Sequence, residues 1–324
     1  MKAKGDYDRY KPIEYDQFTK YIDALADYGT SIFELTPTVG DAFSLSPPVL
    51  EQYLDYLEDK QSVDVYFFYT SLITKEPMSN GQFDFLFNRD KFILHISLYA
   101  VNKKEFMRRT SGTEEQFDIL KSNLFYIIQN IDKFQIDLSD RTTFGNSMAR
   151  MNMDDDTDVP TSKPSPAFKY IINALCNSPR VSVDSSPGTM IDHDYTDTVT
   201  KTAKSNHDGV CIAMLMDNGV YPDGKVSLCS WIDSRREMTM GNLNDNSLDE
   251  IYKDYWDEEG EKPKLNEQSL KFDKKFYVCN NCDFALPGPP GKTIEEKSDA
   301  LRTEYIQLLN NLRDGKGHKH KKWF

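Results

Sequence analysis

Apolar positions along this chain keep two rhythms, one of a helix face and one of a buried strand. In "IEYDQFTKYIDALADY" (13–28), Phe18, Ile22, Leu25 and Ala26 share one helical face. Gly29 then stands where a C-terminal cap belongs. "SIFELTP" (31–37) reads as a buried strand with a polar exit. "PPVLEQYLDYLEDK" (47–60) is a second amphipathic helix, its prolines at the first turn where they cost little. "VDVYFFYTSLI" (63–73), "KFILHISLYA" (91–100) and "FQIDLSD" (134–140) predict further strands. "TEEQFDILKSNLFYIIQNI" (113–131) is the strongest helical signal, and "SPAFKYIINAL" (165–175) and "TIEEKSDALRTEYIQLLNNLR" (293–313) predict two more helices. Alternating strands and helices with short connections imply parallel βα units. Pattern alone leaves a barrel and an open sheet both possible, and the first element is a helix where a βα barrel normally opens on a strand.

Two polar stretches break the rhythm. "MNMDDDTDVPTSKPSPA" (151–167) is acidic and contains prolines, and 184–208 is rich in turn residues. They divide the chain into a βα region over 1–204, a cysteine-bearing region over 205–290, and a C-terminal helix with a basic tail over 291–324. Hydrophobic residues make up 39% and aromatics 12%, enough for a sizeable core. A net charge of -13 speaks against a protein that tracks nucleic-acid phosphates. No apolar run reaches the about 18 residues of a membrane span, and "MKAKGDYDRY" is no signal peptide. A cytoplasmic location is the expectation, where thiols stay reduced and clustered cysteines hold metal more often than they cross-link.

Four of the five cysteines form such a cluster in sequence. Cys211 and Cys229 flank "YPDGKV", whose Pro222, Asp223 and Gly224 are turn chemistry; a hairpin there returns Cys229 toward the Cys211 segment. Cys279 and Cys282 form a knuckle whose two-residue spacer lets both sulfurs face one ion. Four thiolates suit a tetrahedral zinc and a cubane iron–sulfur cluster alike, and spacing does not separate them. Cys176, in "NALCNSP" at a helix end, reads as an ordinary packed thiol.

The order Cys211, Gly224, Cys229 and then the knuckle resembles the auxiliary-cluster domain of radical S-adenosylmethionine (SAM) enzymes, the SPASM domain and its shorter relative, the twitch domain. "MTMGNLNDNSLDEIYKDYW" (238–256) resembles the stretch of that family in which Gly-Asn-Leu precedes a helix, and Ser247 with Glu250 makes a capping box for it. Longer SPASM patterns add cysteines after the knuckle; "DFALPGPPGK" (283–292) has none. The resemblance therefore implies one 4Fe–4S cluster held by Cys211, Cys229, Cys279 and Cys282.

The βα region resembles the radical SAM core, a partial (β/α)6 TIM-like barrel. "ELTPTVGDAF" (34–43) stands where the family binds the amino group of SAM on a Gly-Gly-Glu backbone; Gly40 and Asp41 align with it, with Val39 in place of one glycine and Asp in place of Glu. Ser97 in "HISLYA" and Arg109 in "EFMRRTSGTEEQFDILKSNL" are the further SAM contacts the resemblance implies. One departure is large: the family's C-x3-C-x2-C motif, which holds the SAM-cleaving cluster after the first strand, has no counterpart before Cys176. The expectation is a barrel lacking its first strand and that motif, in a truncated or split enzyme whose missing segment a separate chain is able to supply. With that segment, the family cleaves SAM to a radical that abstracts hydrogen from a peptide, protein or small-molecule substrate. A non-catalytic cluster-containing binding module and a four-cysteine zinc protein are the competing readings. No partner nucleic acid or membrane is expected.

Other chemistry-bearing residues read as structural. His318 and His320 lie in a basic tail, and His193 and His207 in polar loops. "DDDTD" (154–158) reads as a solvated acidic loop, and His95 as a packed strand residue.

Overall fold

A computed structural model describes residues 12–35, 41–110, 112–140, 164–184, 219–227, 239–253 and 294–317. Helix α1 (Tyr15–Asp27) leads into β1 (Ile32–Glu34), α2 (Pro47–Asp59) and β2 (Val65–Thr70). Then come β3 (Phe92–Leu98), α3 (Lys103–Thr110), α4 (Glu114–Gln129), β4 (Ile136–Asp140), α5 (Pro166–Asn177) and β5 (Val181–Asp184). The five strands form one sheet in the order β1-β2-β3-β4-β5, every neighbouring pair parallel. Strand order that follows chain order, with no reversal, is the winding of a barrel; a doubly wound sheet changes direction at a switch point. The expected partial-barrel α/β architecture is what the sheet shows.

Period-two alternation divides each strand between two faces. Phe33, Tyr66, Phe68, Phe92, Leu94, Ile96, Ile136, Leu138, Val181 and Val183 join the main core with side chains of α1, α2, α4 and α5. Phe18, Ile22 and Ala26 of α1 are buried in it, as the helical face predicted, and Leu25 packs at its margin. Thr113 and Gln116 close a capping box at the start of α4, which explains the strength of that helix in the sequence.

The opposite face, called inner here, is covered in its N-terminal half by α7 (Ile294–Arg313), the last helix described. Leu309 and Leu312 bury against Val65, Phe67 and Ile93, and Tyr305 stacks on Phe67 with ring centroids 5.1 Å apart. Arg302 binds Asp64 at 2.7 Å and Arg313 lies 3.4 Å from Asp90, so ion pairs hold the helix at the N-terminal ends of β2 and β3. The chain beyond α7 passes beneath β5, where Gly317 donates to the Pro179 carbonyl at 2.7 Å.

A second, three-stranded sheet contains β6 (Gly219–Val220), β7 (Lys225–Ser227) and β8 (Thr239–Asn242), all antiparallel, and leads to the short α6 (Leu248–Lys253). Val226, Leu243, Leu248, Ile251 and Tyr252 bury together with Tyr21 of α1, which docks this unit on the larger sheet's first helix. Among the described residues, no helix is long and apolar enough to cross a membrane.

Candidate functional site

The β6–β7 hairpin has the predicted turn. Gly224 N–H donates to the Tyr221 carbonyl at 2.8 Å, and Gly224 takes φ +85°, open to glycine at little cost. A second constraint applies to the same residue. A Cβ on Gly224 would lie 2.4 Å from Asn242 Oδ1, 2.6 Å from Asn244 Nδ2 and 2.6 Å from the Tyr21 hydroxyl. Those groups are knotted together: Tyr21 donates to Asn244 Oδ1 at 2.9 Å, and Asn242 and Asn244 donate to the Asp223 carbonyl at 3.1 and 3.0 Å. The glycine between Cys211 and Cys229 is therefore required by packing as well as by the turn. The Ser247–Glu250 capping box also forms, at 3.3 and 2.9 Å.

Cys211, Cys229, Cys279 and Cys282 lie outside the described residues, and so does Gly40. Cys229 follows the end of β7 at Ser227 by two positions, and Gly219 pairs with Ser227, so the hairpin carries both flanking chain segments away from the same end. By donor chemistry alone, four thiolates suit one metal centre. Among the described residues, no group of three or more His, Cys, Asp or Glu is placed to hold a metal. Cys176 lies in the last turn of α5 and packs against the main core.

Comparison with known proteins gives this segment a relative. Residues 211–283 match the SPASM family, an iron–sulfur cluster-binding domain. That stretch resembles a SPASM domain. The β6–β7 hairpin, β8 and α6 fall inside the matched stretch, and Tyr21 seats them on α1. No curated protein matches the chain. Solved structures that resemble it include native anSMEcpe with bound AdoMet, at 12% identity and a TM-score of 0.47, covering 94% of this chain and 91% of that one. Native anSMEcpe with bound AdoMet and Kp18Cys peptide gives 13% identity and a TM-score of 0.41, covering 94% and 92%.

On the larger sheet, Asp41 caps a single 3-10 turn at Ala42–Ser44. Its carboxylate accepts from Phe43 N–H at 3.0 Å, the Thr70 hydroxyl at 2.9 Å, Ser71 N–H at 3.0 Å and the Ser71 hydroxyl at 3.1 Å. Desolvation raises its pKa despite these bonds, because enclosure disfavours the charge more than the donors favour it. Asp41 thus fastens the β1–α2 connection to the C-terminal end of β2. Asn123 of α4 does the same for the loop that follows. It is 0% exposed, accepts from Met78 N–H at 2.7 Å, and donates to the Leu72 carbonyl at 2.9 Å and the Thr74 hydroxyl at 2.8 Å. Leu72 itself takes φ +60°, a left-handed backbone rare outside glycine. Ser97 is 5% exposed near the C-terminal end of β3, and Arg109 is on α3, its side chain outside the description.

What reading residues singly missed is a polar row on the inner face. Tyr69 pairs with His95, His95 with Asp137, and Asp137 with Ser182, at one register level across four strands. Ser97 belongs to the next level, in register with Ser139. The signal was present as alternation, in "IDLSD" of β4 and "VSVD" of β5, where every second residue is polar.

Proposed function

We propose that this chain is an iron–sulfur protein of radical SAM type whose SPASM domain holds one 4Fe–4S cluster through Cys211, Cys229, Cys279 and Cys282. The match over 211–283 carries the reading, since that segment contains four of the five cysteines in the sequence. The hairpin and the thiolate donor set support it, and the family's iron–sulfur chemistry favours a cluster over zinc. When bound, the cluster supplies electron transfer or an anchor for substrate. The chain's other residues serve the sheet side: Ser97, Arg109 and the backbone at Gly40 and Asp41 are assigned to SAM, with the Asp41 carboxylate fixing that backbone against β2. A peptide is among the substrate classes. SAM cleavage requires an iron with an open coordination position, and four cysteines leave none on this cluster. Activity therefore calls for a C-x3-C-x2-C segment, in the same polypeptide or from a partner chain.

Anaerobic reconstitution tests the assignment. The chain should take up about four iron and four sulfide, as one cubane requires. Alanine at any of the four SPASM cysteines should abolish uptake, and Cys176→Ala should leave it intact. Stoichiometric zinc without sulfide refutes the reading.

A further inference from the structure

An asparagine followed by glycine carries a reaction of its own. The glycine nitrogen, with no Cβ beside it, is able to reach the asparagine's side-chain carbon and displace ammonia. The sequence has this pair twice, at Asn80–Gly81 and Asn218–Gly219, and the first lies among the described residues. A fold that holds the amide away from the nitrogen suppresses the reaction, so the surroundings decide whether a given pair reacts.

Asn80 closes a single 3-10 turn, Met78–Asn80, in the loop after β2, and it is exposed to water. Its side-chain oxygen accepts from Gln82 N–H at 3.1 Å. That bond arches the amide over the intervening Gly81 nitrogen and draws electron density from the carbonyl carbon. The amide nitrogen, the group that leaves, lies at the surface, 3.4 Å from Glu76 Oε2. Gly81 takes φ +80°, and beyond its chain neighbours the nearest atom to a Cβ there would be Asp84 Oδ2, 3.6 Å away. Access is open. Gly81 N–H also donates to the Met78 carbonyl at 3.1 Å, which restrains the attack, but a bond of 3-10 geometry in a one-turn helix opens far more readily than a ladder bond.

We propose that Asn80 is a self-modification site, at which this loop exchanges a neutral amide for a carboxylate as the protein ages. Gly81 N–H gives up its proton as its nitrogen bonds to Asn80 Cγ; the Cγ–Nδ2 bond breaks, and ammonia leaves with that proton. Water then opens the succinimide at either carbonyl and leaves aspartate or isoaspartate at position 80. Water enters and ammonia departs, with no oxidant or reductant, and the product is ionised at neutral pH. The new charge falls beside the Glu76 carboxylate, where an N–H donor stood, and the two repel. Isoaspartate also routes the main chain through the side-chain carbon and so adds a methylene to the turn. On its other side the turn is fastened to the core, where Met78 N–H donates to Asn123 Oδ1 at 2.7 Å. The change therefore loosens the stretch from Thr74 to Gln82 around a buried anchor. It rests on neither the cluster nor the SAM assignment.

The full chain, Asn80→Gln, Asn80→Asp and a synthetic peptide of residues 74–86 are incubated at mildly alkaline pH. Peptide mapping by mass spectrometry reads the replacement of –NH2 by –OH. Asn80 should convert ahead of every other described asparagine and give aspartate and isoaspartate together. Asn80→Gln should stay unconverted at that position over the same period, because glutamine has to close a larger ring. Amide hydrogen exchange over 74–82 should quicken about fivefold as the unmodified chain converts, the factor that one neutral hydrogen bond is worth. It should start quick in Asn80→Asp and stay unchanged in Asn80→Gln. An Asn80 still intact when the peptide has fully converted overturns the proposal, since the fold then shields the pair, and so does earlier conversion of another described asparagine. Unaltered exchange in both the converted chain and Asn80→Asp overturns the loosening of the loop.

Discussion

Replacing Asn123 by leucine tests how the loop after β2 is held. The side chain is fully buried and uses its acceptor and both donors on one loop: Met78 N–H, the Leu72 carbonyl and the Thr74 hydroxyl. Leucine fills a similar space, so the dominant loss is polar. The Thr74 hydroxyl retains the Glu76 carbonyl as a partner, but Met78 N–H and the Leu72 carbonyl lose Asn123. A buried backbone group left without a partner costs about 1–3 kcal/mol, so two of them cost about 2–6 kcal/mol, with a central value of about 4 kcal/mol. The loss also frees Leu72, whose left-handed backbone has a preference of about 1–2 kcal/mol to relax. Asn123→Ala should cost less, about 3 kcal/mol, because the vacated space admits a water that restores part of the bonding. Urea unfolding followed by far-ultraviolet circular dichroism measures both. In thermal melts the leucine variant should lose about 8–16 °C, at about 2–4 °C per kcal/mol for a domain of this size. A loss under about 1 kcal/mol for leucine, or a larger loss for alanine than for leucine, refutes the accounting.

Gly224→Ala should cost about 2–4 kcal/mol, combining a left-handed φ with a methyl group pressed into the Tyr21–Asn244 knot; hydrogen exchange over 219–227 should accelerate, and unchanged protection contradicts the docking role. Asp41 binds its proton more tightly in the folded chain than its ordinary value of 3.8 implies. Its contribution is therefore full in acid and lost as pH rises from 3.8 through the raised folded value. The melting temperature of the unmodified chain relative to Asp41→Asn should fall across that window, and a pH-independent difference argues against it. Residues 1–324 alone, reconstituted and given dithionite with SAM, should form no 5′-deoxyadenosine; formation that Cys229→Ala abolishes would show that the SPASM cluster itself cleaves SAM.

Helix and strand positions were legible because burial on the main core enforces a clean period. "KFILHISLYA" alternates around Leu94, Ile96 and Leu98, and "FQIDLSD" around Ile136 and Leu138. The strand β5 went unread because four residues are too few to establish a rhythm beside α5. The predicted end of β2 ran past Thr70 because Leu72 is as apolar and buried as a strand residue; a positive φ, invisible in composition, turns the chain there. Barrel-type winding rests on which strands pair, a long-range property that local pattern does not encode. The SPASM spacing was readable from the cysteines and Gly224, but the second reason for that glycine lies in Tyr21, about two hundred positions earlier, and appears only when α1 meets the hairpin. His95 reads in the sequence as a packed strand residue, and it is buried against the rings of Phe67 and Tyr69; that Asp137 stands beside it is visible only once β3 and β4 pair.

The seating of α7 on the inner face sets the order in which this protein is able to fold during synthesis. Arg302 and Asp64 meet across 238 positions of chain. At about 5–20 residues per second, roughly 12–48 s separate the emergence of β2 from that of the helix that covers it. Until then Val65, Phe67 and Ile93 have no partner from α7, although the helices on the other face are already in place to form their own core. The nascent sheet thus waits on α7 to cover Val65, Phe67 and Ile93, long after its other face is able to pack.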